Sequence, residues 1–168
     1  WNRMRRLVRH RWLDDDDLRR ALPPATLERL AHRVTAGEHV HRGEVRIHVE
    51  AGLPWSYLWR DATARDRALA MFGKLRVWDT EHNNGVLIYL LLAEHAIEIV
   101  ADRGISRYVR PDHWQSVVQQ LVRHLKRADF ENGLTQALEE VSALLVQHYP
   151  LPEGQVHSNE LCDRVVWA

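Results

Sequence analysis

The chain has 168 residues, 45% of them hydrophobic, with 23 basic against 23 acidic side chains and a single cysteine. That length and apolar share suffice for one domain with a substantial core, and the balanced charge excludes a global field drawing the molecule to nucleic acid or membrane, so any such attraction is local. Cys162 alone excludes an internal disulfide framework and a multi-cysteine zinc site, and no run of about 18 apolar residues is available to cross a membrane.

These features predict a soluble protein, cytoplasmic or peripheral at the inner membrane. The sequence begins at Trp1 rather than Met, which leaves room for a leader or anchor upstream.

Residues 1–21 read as an arm or helix of alternating charge. Arg3, Arg5, Arg6, Arg9 and Arg11 lie among Trp1, Met4, Leu7, Val8 and Trp12, and Asp14 to Asp17 follow. Two readings stand: a solvated helix or arm with the Asp run at a helix start, or a basic, Trp-bearing segment that rests on an anionic membrane or a protein partner. The Asp run lacks the alternating ligands, central Gly and closing Glu of a calcium loop.

Pro23-Pro24 opens a helix carrying Leu27, Leu30, Ala31 and Val34 inward, up to Gly37. From His41 to Ala51, Val45, Ile47, Val49 and Ala51 alternate with Glu44, Arg46, His48 and Glu50, the period of a strand. Its polar face is expected either to meet water, as at a sheet edge, or to line a groove. Gly52 to Arg60 reads as a loop rich in Trp55, Tyr57 and Trp59. Thr63-Ala64-Arg65-Asp66 resembles a capping box for a helix with Ala64, Ala68, Met71, Phe72 and Leu75 inward, ending before Trp78.

Val86 to Leu92 is almost wholly apolar, which suits a strand covered on both faces, and Ala96 to Ala101 continues it after Ala93-Glu94-His95. The pair is predicted to be a tight antiparallel hairpin at the sheet centre. Asn83-Asn84-Gly85 and Asp102-Arg103-Gly104 then lie at one end of it, where a site is expected. Asp112 to Gln115 reads as a cap for a helix with Trp114, Val117, Val118, Leu121, Val122 and Leu125 at spacings of three and four, and another carries Leu134, Ala137, Leu138, Val141, Leu144 and Leu145. The tail, 151–168, is irregular and packed on the domain, with one extended piece at Val165-Val166. The order predicts an α/β fold, a three-layer α/β/α sandwich with a small mixed sheet of three to four strands over residues 22–150.

Standard catalytic signatures are absent: no phosphate-cradling Gly-rich loop, no G-x-S-x-G, no H-E-x-x-H. His48-Val49-Glu50 is half a deaminase motif without its cysteines, and Cys162 reads as inert. His39 and His41, at i and i+2, could turn two imidazoles to one metal, with ordinary surface histidines as the bland alternative. Asp79, Glu81, Asn83, Asn84 and Asp102 gather oxygen atoms around the hairpin loops, suited either to a hard cation such as Ca²⁺ or Mg²⁺ or to ordinary turn chemistry.

With Glu44, the segment Phe72 to Gly85, GVLIYLLL and ADRGI, the chain resembles the TPM domain family from about Leu22 to Tyr149, and its NELCDRVV ending is similar to a short bacterial branch. The resemblance implies a three-layer α/β/α sandwich. It also implies, for some members, acid phosphatase activity with divalent-cation binding and, for others, a place at the cell envelope by a membrane tether. The family's strand-start Glu matches Glu44; its Asp-Asn-Gly becomes Asn83-Asn84-Gly85, and its Gly-x-Gly becomes Asp102-Arg103-Gly104. One carboxylate is lost and another gained near the same loop.

The expected cation ligands are Glu44, Asp79, Asn84 and Asp102, with Arg103 and Gly104 contacting a phosphate or partner. The favoured function is a non-catalytic binding module acting at an anionic membrane surface or on a protein partner through the Arg/Trp arm and the Trp55 to Trp59 loop. The alternative is a metal-assisted acid phosphatase, for which no residue stands out as nucleophile. Nucleic acid is not expected as a partner, because neutral net charge leaves little counterion release.

Overall fold

Every residue of Gly85–Leu91 (β2) is buried, and the rest of the fold is arranged to cover it. The structure is a computed structural model that describes residues 2–13, 15–152, 154–155 and 161–167. Trp1, Asp14, the side chains of Arg3 and Arg5, and Asn159 and Glu160 of the terminal motif lie outside the described residues.

Glu44–Glu50 (β1) runs parallel to β2, and Ala96–Ala101 (β3) returns antiparallel to it after a 3-10 turn at Leu92–Glu94. His95 closes that turn in the left-handed region, at φ 49°. Val166–Trp167 (β4) adds to the far side of β1 in parallel, so the sheet order is β3-β2-β1-β4. The hairpin and the mixed four-stranded sheet match the reading of the sequence, but the hairpin is not central as a pair: β2 lies inside the sheet and β3 forms its edge.

Helices fill both faces because each strand sends alternate side chains to opposite sides. Val86, Ile88 and Leu90 meet Pro24–Glu38 (α3), Pro111–Lys126 (α7) and Phe130–His148 (α8) in the larger core. Leu87, Tyr89 and Leu91 meet Trp55–Trp59 (α4) and Ala64–Lys74 (α5) in the smaller one. The chain begins with Asn2–Trp12 (α1) and Asp15–Ala21 (α2), and Arg103–Ser106 (α6) is a single turn after β3. Leu18 of α2 is fully buried in the larger core.

Local chemistry sets several of these boundaries. Thr63 and Asp66 form the predicted capping box of α5, each side chain bonded to the other's backbone. Pro23 and Pro24 start α3 as expected. Three expectations differ. The Trp55 to Trp59 loop is a one-and-a-half-turn helix, too short to display a period. Asp112 lies in the first turn of α7 rather than at its cap, which is Arg110 before Pro111. And β1 is an interior strand whose polar face is buried, because β4 covers its outer edge and buried partners meet its side chains.

Candidate functional site

The two polar loops do meet. Asp102 N–H donates to Gly85 O, Gly104 N–H donates to Asn83 O, and Arg103 Nε donates to Asn83 Oδ1 at 3.0 Å. Gly104 is required by this approach, since a Cβ there would collide with the backbone carbonyls of His82 and Asn83. Asp102 caps α6, its Oδ1 accepting from Arg103 N–H at 2.6 Å. Asn84 is buried, donating from Nδ2 to Arg42 O at 2.8 Å and accepting nothing at Oδ1; Asp102 Oδ2 is likewise buried without a hydrogen-bond partner among the described residues.

Glu44 is fully buried opposite Gly85 in the β1–β2 register, with Oε2 accepting from Leu161 N–H at 3.2 Å. Asp79 stands apart, exposed in the turn after α5 and paired with Arg76 at 2.7 Å. The structure thus gathers Asn84, Asp102, Arg103 and Gly104 at one end of the sheet, sets Glu44 at the start of the next strand, and leaves Asp79 outside. Among the described residues no three His, Cys, Asp or Glu side chains are placed to hold a metal ion together. His39 and His41 do not share a strand face: His39 ends α3, exposed, while His41 is buried against Gly37 and bridges to Pro150.

Two polar clusters were missed by sequence reasoning. At the start of β1, Glu38, Glu44 and Asp163 draw together, with Thr35 Oγ1 donating to Asp163 Oδ2 at 2.5 Å. Burial, then the charges of Asp163 and Glu44 and a hydrogen bond with Asp163, push the Glu38 carboxyl up to about 8. At the other end of β1, Glu50 accepts from Arg67 Nε at 2.9 Å and Nη2 at 2.5 Å and from the Tyr89 hydroxyl at 2.7 Å, with His48 Nε2 at 3.4 Å. Burial alone would raise Glu50; the hydrogen bonds from Arg67 and Tyr89, with His48 close by and the Arg67 charge, outweigh it and hold the carboxyl at about 2. The alternation of Glu44, Arg46, His48 and Glu50 was the available signal, but alternation does not say what covers a face.

The N-terminal helix is half absorbed and half presented. His10 is buried, taking Leu53 N–H at Nδ1 (2.9 Å) and facing Glu94 Oε1 at 3.0 Å from Nε2. Arg6 donates to Glu94 at 2.7 Å and to Asp61 at 2.8 Å. These contacts fix one side of α1, and a groove of about 430 Å³ lined by Leu7, Arg11, Leu53, Trp55 and Leu58 separates it from α4. The other side carries Met4, Val8 and Trp12, one turn apart and all exposed, Trp12 to 80%. Trp55 and Trp59 of α4 are exposed as well, Trp59 to 70%, and Arg9 and Arg11 flank the stripe in solvent.

Four strands between two helical layers, with polar loops meeting at the start of the central strand, define an α/β/α sandwich of the TPM type. The chain belongs to the TPM domain family, whose profile matches residues 16–144. It is similar in fold to BA42 protein from the psychrophilic bacterium Bizionia argentinensis, at 24% identity and a TM-score of 0.74 over 88% of this chain and 95% of that one. It also resembles the N-terminal domain of a protein from P. gingivalis, at 19% identity and a TM-score of 0.62 over 79% and 83% of the respective chains. No functionally curated protein matches it. No helix among the described residues is long and apolar enough to cross a membrane.

Proposed function

We propose that the protein is a non-catalytic binding module that rests on an anionic membrane surface through α1 and α4. The observation that carries this is the outward stripe of Met4, Val8 and Trp12 beside Trp55 and Trp59, on a helix whose opposite side is fixed to the body by Arg6 and His10. An apolar stripe flanked by arginines matches an interface where acyl chains lie beneath anionic headgroups. Sedimentation with vesicles of phosphatidylserine and phosphatidylcholine, against phosphatidylcholine alone, tests it. Val8→Glu with Trp12→Glu is expected to reduce binding by at least about tenfold, since burying one such side chain contributes about 1.5–3 kcal/mol. A protein that ignores both vesicle types, or a double variant that binds as well as the parent, would turn attention to a protein partner.

A second reading, a cation-assisted acid phosphatase, is supported by two buried oxygens of the hairpin loops, Asn84 Oδ1 and Asp102 Oδ2, that have no hydrogen-bond partner among the described residues. These would supply the fixed ligands for Ca²⁺ or Mg²⁺, with Glu44 at the start of the neighbouring strand and Arg103 and Gly104 towards a phosphate. A cation held there raises the unfolding midpoint by mass action, and Asp102→Ala abolishes that rise. Equal midpoints with EDTA, Ca²⁺ and Mg²⁺ would end this reading.

A further inference from the structure

A cleft of about 480 Å³ opens between α5 and α7 beside β3, within the range of about 300–1,000 Å³ that small-molecule sites occupy. It is a cleft between side chains rather than an open sheet edge. Ile97 and Ile99 of β3 are each 2% exposed, and Arg65 Nη1 donates to Ile99 O at 2.6 Å, so the chain's own side chains cover the strand. Lining the cleft are Trp114 and Val118 of α7, Ala101 at the end of β3, and two charged residues, Arg65 and Glu98. Trp114 and Val118 are four apart in sequence and so share one face of α7. Ala101, Glu98 and Val118 each keep part of their surface open to solvent.

The lining carries one charge of each sign, and the two do not satisfy each other. Arg65 Nη1 and Glu98 Oε2 are 3.6 Å apart, beyond hydrogen-bond distance, and the same Nη1 already serves Ile99 O. Burial raises the Glu98 carboxyl from its ordinary value against the pull of Arg65, so the carboxylate is left under-compensated. A guanidinium has five N–H donors and a carboxylate about four acceptor sites, so both keep capacity for a ligand. Trp114 adds another unused group, since its indole Nε1 is buried with no hydrogen-bond partner among the described residues. A simple anion meets the wrong sign at Glu98, and a simple cation meets it at Arg65. A ligand that answers both must carry the two charges side by side.

We propose that this cleft binds a free α-amino acid with an apolar side chain, its carboxylate on Arg65, its ammonium on Glu98 and its side chain against Trp114 and Val118. Such a ligand holds its two charges on one carbon, which suits a guanidinium and a carboxylate that are close neighbours in the lining. Charge-assisted hydrogen bonds at that end fix the orientation, and the apolar wall supplies the burial. An acceptor-bearing ligand also fits a wall that contains an unpartnered indole N–H better than a plain hydrocarbon does. The site depends neither on the membrane face of α1 and α4 nor on a cation at the hairpin loops.

An amide NMR titration of the full chain with L-leucine tests this beside two analogues, isocaproate, which lacks the ammonium, and isoamylamine, which lacks the carboxylate. Leucine is expected to bind in the micromolar to millimolar range and to shift the Glu98, Ala101 and Val118 amides. Each analogue is expected to bind at least about tenfold more weakly, having lost its hydrogen bonds to one charged partner. Glu98→Gln weakens leucine by a similar factor but leaves isocaproate no weaker, since the charge removed met only the ammonium. A purely structural role for Glu98 would weaken both alike. Val118→Trp fills the cleft and abolishes leucine binding, whereas Trp12→Glu, on the membrane face, leaves it unchanged. Should either cleft variant fold poorly, the three ligands compared on the parent decide the matter alone. No shift with millimolar leucine, shifts confined to residues away from the cleft, or analogues that bind as tightly as leucine overturn the proposal.

Discussion

Glu50 shows what a buried charge requires. The carboxylate is 2% exposed and takes its hydrogen bonds from Arg67 and Tyr89, while Arg67 also lies over the Tyr57 ring at 5.0 Å. Removing one partner of such a pair leaves the other charge desolvated, which costs about 3–5 kcal/mol, whereas removing both costs far less. Arg67→Met is therefore expected to destabilise the fold by about that amount in urea unfolding, and the double variant Glu50→Gln/Arg67→Met to recover much of it. A single variant that unfolds within about 1 kcal/mol of the parent would show that the pair holds no such charge. Because the folded carboxyl is held at about 2 against an ordinary 4.5, its stabilisation is complete above the ordinary value and lost as pH falls towards 2.

At the scale of elements, β4 is the one whose hold needs explaining, because two residues of parallel pairing cannot keep a terminal segment in place. Three other contacts help: Val165 is buried in the larger core, Leu161 N–H reaches Glu44, and Thr35 reaches Asp163. Glu38 sets a limit on them. Its carboxyl is raised from 4.5 to about 8 by burial and by the charges of Asp163 and Glu44, so the folded state favours the proton. The stability this contributes is full below the ordinary carboxyl range and is lost as pH rises through about 8. The unfolding midpoint is expected to fall between pH 6 and pH 9, with Glu38→Gln flattening the decline. An equal decline in parent and variant would place the alkaline sensitivity elsewhere.

These elements also show which parts of the fold could be read from the chain. β2 and α7 were legible because each repeats its own period long enough to declare it, and the α5 cap and the meeting of the Asn83 and Asp102 loops follow from local rules. The placement of Asn84 and Asp102 at one end of the sheet came with the hairpin. What stayed hidden depends on residues remote in sequence. Glu38 meets Asp163 and Glu50 meets Arg67 only after the sheet is assembled, and β1 looked like an edge strand because nothing local announces β4. The helical WSYLW segment was hidden for the opposite reason, being too short to carry a pattern.

Over the whole molecule, 23 positive and 23 negative side chains cancel, so attraction to an anionic surface has to come from where the charges sit. On the proposed membrane face, Arg6 is already committed to Glu94 and Asp61, and among the described side chains Arg9 and Arg11 are exposed cations beside Val8 and Trp12. Each basic residue near an anionic leaflet contributes about 1 kcal/mol, and that part is screened as the Debye length shrinks to about 3 Å at 1 M salt. The apolar part is not screened. Vesicle binding is therefore expected to fall by about one to two orders of magnitude between low and 1 M salt without vanishing. Arg9→Gln with Arg11→Gln should lower the low-salt affinity and flatten the salt dependence, because two of the cations being screened are then gone. Trp12→Glu should lower binding at every salt concentration. A salt response that survives in the double arginine variant would mean that the molecule meets the membrane through some other face.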